Sequence, residues 1–178
     1  MLNAAYETRY LEAAFDALPR YLSADALYWP LNIEPPQRNM PPYPQLTPGN
    51  VLLSLRRLQA LGQDTAWQQQ LDALRASWGA HWRQKATQEV HARLRQWRFY
   101  LQEDDRAPYY HYKVRERVIL ALLEEDLGEL PSAAAQTLAQ LDEAVRHAFV
   151  PGAFIWEAPL QRVFPRPTYW FLYGSLQR

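Results

Sequence analysis

Between Trp67 and Leu101 an apolar residue recurs every three or four positions. The series is Trp67, Leu71, Leu74, Trp78, Trp82, Ala86, Val90, Leu94, Trp97 and Leu101, and no proline interrupts Thr65 to Glu103. Spacing of this kind lays one side of an α-helix against a core. It predicts one long central helix over about 65–103. Fours outnumber threes, so at the helical turn angle the stripe drifts. Its last four members lie roughly 140° around the axis from its first four. Either one helix faces different neighbours at its two ends, or the segment breaks near Gly79, its one weak interior position. No capping residue follows Gly79, which favours the continuous helix.

The flanking segments read as shorter helices. Tyr6, Tyr10, Ala14 and Leu18, with Leu11 and Phe15 beside them, give an amphipathic helix over about 3–18 that Pro19 should end. A short helical turn is expected from Ser23 to Trp29, with Ser23 as N-cap. Residues 30–48 hold seven prolines together with Leu31, Ile33, Met40, Tyr43 and Leu46. Prolines forbid helix and central strand, so this is an extended arm, and its apolar content predicts that it lies against the body. Thr47-Pro48 is a helix start, and the helix should run to about Leu61 with Gly62 closing it.

Beyond Asp104–Arg106, Pro108 opens a helix expected over Tyr109–Leu127 with Gly128 as its stop. Pro131 or Ser132 opens the last, with Ala134, Leu138, Leu141, Val145 and Phe149 as its core stripe. The tail, 150–178, is rich in aromatics and proline; Ala153–Glu157 and Thr168–Tyr173 are candidate paired strands. The pattern therefore predicts an all-α chain. It is a helical bundle of about five helices with one long central helix, a proline-rich arm (30–48) and an aromatic, partly extended tail (150–178), in a single domain of 178 residues.

Composition narrows the chemistry mainly by exclusion. With no cysteine there is no disulfide, thiolate metal site or cysteine nucleophile. No apolar run approaches the ~20 residues of a membrane span, and the charged N-terminus is not a secretory signal. A cytoplasmic protein is expected. His81 and His91 are too far apart along one helix to share an ion, and no Glu-x-x-His, G-x-S-x-G, Ser-x-x-Lys or Walker loop occurs. No catalytic residue, metal ligand or cofactor is predicted.

Nineteen basic residues balance nineteen acidic ones, so net charge draws the chain to neither nucleic acid nor membrane. The segment Arg75–Arg98 does hold Arg75, Arg83, Lys85, Arg93, Arg95 and Arg98 against one acid, Glu89, with Trp78, Trp82 and Trp97 interleaved. Such a mixture can bind single-stranded nucleic acid. Here the tryptophans belong to the apolar stripe and are expected in the core. His81, Lys85, Gln88, His91, Arg95 and Arg98 share the opposite arc, which reads as a solvated face. Nucleic acid is not an expected partner.

Two functional expectations result. The first is a non-enzymatic helical interaction protein that self-associates as a homodimer through its long helix, which would account for the drifting stripe. The second is a small-molecule-binding protein or enzyme with a pocket between arm and tail. Aromatics on irregular backbone with a few charges are the usual material of such a pocket. Its candidate ligand-binding residues are Tyr28, Trp29, Tyr43, Trp156, Glu157, Arg162 and Tyr169.

Overall fold

A computed structural model describes residues 2–177. Five helices of 13 residues or more and one single turn carry the chain: α1 (Ala4–Ser23), α2 (Pro48–Ala60), α3 (Thr65–Leu101), the turn α4 (Tyr110–Lys113), α5 (Arg115–Leu127) and α6 (Ser132–Ala148). The only sheet among the described residues is an antiparallel pair, β1 (Phe149–Pro151) with β2 (Gly174–Leu176). The all-α class and the long central helix are as the pattern predicts. None of the helices is long and apolar enough to cross a membrane. The chain forms two compact units, residues 1–89 and 90–178, and the boundary falls inside α3.

In the first unit, Tyr10, Leu11, Ala14, Leu18, Tyr21 and Leu22 of α1 pack with Val51, Leu55 and Leu58 of α2 and with Leu71 and Trp82 of α3. Contrary to expectation, α1 does not stop at Pro19 but runs through it to Ser23, so no separate turn begins there. An interior proline costs roughly 3 kcal/mol. Tyr21 and Leu22 continue the buried face one turn further, and each buried side chain of that size returns ~1.5–3 kcal/mol. Tertiary burial therefore outweighs the local penalty. The end of α1 is then held by Lys85, whose Nζ donates to the carbonyls of Ala24 and Ala26 at 2.6 and 2.7 Å.

Helix α2 starts as expected, with Thr47 as N-cap and Pro48 in the first turn, and Gly62 follows it at φ 69°. The arm is extended and lies on α1. Tyr43 stacks on Tyr6 at 4.3 Å and donates its hydroxyl to the Tyr6 carbonyl. Tyr6 donates to the Pro42 carbonyl, and Arg9 to the Glu34 carbonyl.

Helix α3 is not straight in its dihedrals: Trp78 takes φ −121° and ψ 15°, so the segment kinks one residue before Gly79. The uninterrupted helix favoured by the sequence is thus corrected. The stripe still matches the drift. Leu71 and Trp82 are buried in the first core with Trp67, Leu74 and Trp78 packed against them. Val90, Leu94 and Trp97 are buried in the second unit. Two ends of one segment thus serve two cores, and no member of the stripe is exposed.

The second unit buries Trp97, Tyr110, Val114, Val118, Ile119, Leu123, Phe164 and Phe171. The helix expected over Tyr109–Leu127 is interrupted: a 3-10 turn at Ala107–Tyr109 leads into α4, and α5 begins at Arg115. Gly128 ends α5 at φ 83°. Arg117 forks onto Asp142 at 2.7 and 2.8 Å, tying α5 to α6, and its guanidinium lies over the Phe171 ring. The expected strands in the tail are displaced. Pairing begins where α6 ends, and Ala153–Glu157 and Thr168–Tyr173 are irregular or 3-10 instead. The cause is anchoring: Tyr169, Phe171 and Leu172 all turn inward to be buried, which a two-residue strand alternation does not allow.

Candidate functional site

Most charged side chains of the basic stretch in α3 are used within the chain. Arg75 pairs with Asp72 and lies over the Trp82 ring. Arg83 is engaged, Lys85 holds the end of α1, and Arg93 meets Glu116 at 2.7 Å. Trp82 and Trp97 are buried, as the stripe predicts. The lone acid, Glu89, is wholly buried and accepts from Thr47 Oγ1 at 2.6 Å and from the Gly49 N–H at 2.7 Å. It is a structural carboxylate that fixes the start of α2.

Three groups are left over. Among the described residues, the side chains of His91, Arg95 and Arg98 take part in no hydrogen bond or ion pair within the chain. Their spacing of four and three places them on one face of α3. They line an open groove of about 200 Å³ together with Leu94 and with Ala133, Ala134 and Thr137 from the first two turns of α6. No side chain caps that end of α6, so its positive dipole end also lies beside the groove.

The neighbouring surface is equally unspent. Phe99, one residue beyond Arg98, is 71% exposed. The chain then turns, with the Gln102 and Glu103 N–H groups donating to the Phe99 and Tyr100 carbonyls. Glu103, Asp104 and Asp105 follow without an ion pair among the described residues. The end of α3 therefore presents, in order, free cations, an exposed ring and free acids. Tyr109 and Tyr112 are exposed nearby in sequence.

The residues expected to line an arm–tail pocket are divided between the units. In the first, Trp29 bridges to Leu46 through backbone hydrogen bonds and Tyr43 stacks on Tyr6, while Tyr28 is also engaged. In the second, Phe164 meets Trp156 and Tyr169 edge-on, at 5.6 and 4.8 Å. Trp156 Nε1 donates to the His111 carbonyl and the buried Tyr169 donates to Glu125 at 2.5 Å. Glu157 and Arg162 are engaged as well. All seven thus have interactions within the chain.

The groove was only partly visible in sequence. Its cations fall on the polar arc of α3, which looks like any solvated face; only the scarcity of acids in Arg75–Arg98 marks it. Phe99 sits off the apolar stripe, and that misplacement is its one sequence signal. No protein-family model, no curated protein and no solved structure matches this chain. Among the described residues, no three His, Cys, Asp or Glu side chains gather to hold a metal ion.

Proposed function

We propose that this protein is a non-enzymatic interaction protein that pairs with a second copy of itself through the distal end of α3. The observation that supports it is the order of unspent groups about Phe99: Arg95 lies four residues before it and Glu103 four residues after it. A two-fold axis through Phe99 relates residue to residue in opposite directions along the two helices. Ring then meets ring at the centre, and each Arg95 meets the partner's acidic turn. A parallel pairing sets Arg95 against Arg95, so the charge order selects the antiparallel one.

One aromatic and two reciprocal ion pairs make a small patch, in the size class of weak and transient contacts. Pairing in the high-micromolar range is expected. Sedimentation equilibrium across that range tests it: the native chain should move from monomer to dimer with concentration, and Phe99→Ser should stay monomeric. A native chain that remains monomeric, or a Phe99→Ser chain that dimerises equally well, contradicts the reading.

A further inference from the structure

We infer that the groove between α3 and α6 is a binding site for a phosphoryl dianion. Arg95 and Arg98, on one helix face with His91, repel one another, since like charges three or four residues apart destabilise a helix. The arginines that α3 and α5 of this unit bury are each neutralised, Arg93 by Glu116 and Arg117 by Asp142. At His91, Arg95 and Arg98 the chain supplies no acid, and it leaves a concave space in front of them. Leu94, Ala133 and Ala134 give that space a mostly apolar wall and Thr137 adds a single hydroxyl.

The donor set selects among anions. Two guanidinium forks and an imidazole offer more N–H groups than the two oxygens of a carboxylate can use. A phosphoryl group has three terminal oxygens and close to two negative charges at neutral pH. The volume, about 200 Å³, lies below the ~300–1,000 Å³ of sites that enclose whole ligands. The groove therefore takes the head group and leaves the remainder of the molecule outside.

A nucleic-acid backbone fits poorly, because a chain of phosphodiesters needs a continuing track of cations. Past Arg98 the next charges are Glu103, Asp104 and Asp105, which repel it. Free phosphate and a small phosphate monoester share the chemistry that does fit. The inference shares Arg95 with the self-association surface but does not require pairing. Where pairing occurs, an occupied groove opposes it.

The test uses isotope-labelled Phe99→Ser, titrated at pH 7.5 and constant ionic strength with sodium phosphate, with glycerol phosphate and with sodium acetate. Saturable backbone shifts centred on His91–Arg98 and Ala133–Thr137 are expected with at least one of the two phosphates, at least tenfold tighter than acetate. If both saturate, the site accepts the ester; if inorganic phosphate alone does, it is specific for the free ion. Arg98→Gln should weaken the binding at least tenfold. Shifts that merely follow ionic strength, acetate matching phosphate, or undiminished binding in Arg98→Gln overturn the inference. Saturation in Phe99→Ser beside a native chain that never dimerises leaves the groove standing and removes the self-association reading alone.

Discussion

Thr47 Oγ1 donates to Glu89 Oε1 at 2.6 Å while it accepts the N–H of Asn50 at 3.2 Å. One hydroxyl thus caps α2 from within and ties it to α3. Both side chains are wholly buried, so neither can turn to water if the other is removed. Glu89→Ala leaves Thr47 and the Gly49 N–H without their acceptor, and a loss of roughly 2–4 kcal/mol in urea unfolding is expected. Glu89→Gln keeps one carbonyl acceptor but turns an amide toward a donor, and should lose less. Equal stability of Glu89→Ala and the native chain would show that the carboxylate holds nothing.

Gly174 takes φ 156°, and a Cβ built there lies 2.2 Å from the Val150 carbonyl oxygen and 2.6 Å from the Phe149 ring. The obstruction on the strand side is backbone, which cannot rotate aside. Gly174→Ala should cost on the order of 3 kcal/mol or separate β1 from β2. Thermal unfolding reads the first effect, and loss of amide protection at Gly152 and Ile155, which donate to Tyr173 and Leu172, reads the second.

At Gly79 the expectation has the opposite sign. A Cβ there meets nothing within 4 Å and the residue does not use positive φ. Alanine improves helix propensity by about 1 kcal/mol at an interior position. Gly79→Ala should raise stability by ~0.5–1 kcal/mol. A fall would mean that the Trp78 kink depends on glycine beside it.

Alkaline stability follows from buried tyrosines, chiefly two. Burial pushes Tyr100 up to about 12 and raises Tyr110 as well. A group with a raised folded pKa keeps its full contribution below its unfolded pKa, here 10.0, and loses it as pH climbs toward the folded value. The unfolded chain then releases protons that the folded chain retains, so stability falls above about pH 10. Burial raises Tyr43 too; it lowers Lys85 and Arg75, which work the other way below their unfolded values, but two cations oppose three phenols. Melting temperatures from pH 8 to 12 should decline from about pH 10, and less steeply in Tyr100→Phe. A flat profile, or an unchanged slope in that variant, contradicts this account.

Much of the fold was legible because its signals are local. Thr47-Pro48, Gly62, Gly128 and the stripe of α6 each determine an element through neighbours in sequence. Where the reading missed, distant residues decided. Pro19 looks like a stop until Tyr21 and Leu22 find the core, and the tail looks like strands until the successive Phe171 and Leu172 are both drawn inward. The drift of the α3 stripe was readable, and so was a weak point at Gly79, but the kink falls on Trp78. The groove was least legible. Whether an exposed arginine has a partner depends on which acids reach it in space, and sequence separates Arg93 from Arg95 by only two residues.

The pairing of α3 with a second copy is tested most directly by reversing its charges in turn. Arg95→Glu and Glu103→Arg should each weaken dimerisation in sedimentation equilibrium at low salt, because each sets like charges across the two-fold axis. The double variant Arg95→Glu/Glu103→Arg restores opposite charges and should recover the native association constant to within a few-fold. Additive losses, with the double variant weaker than either single one, would contradict the account.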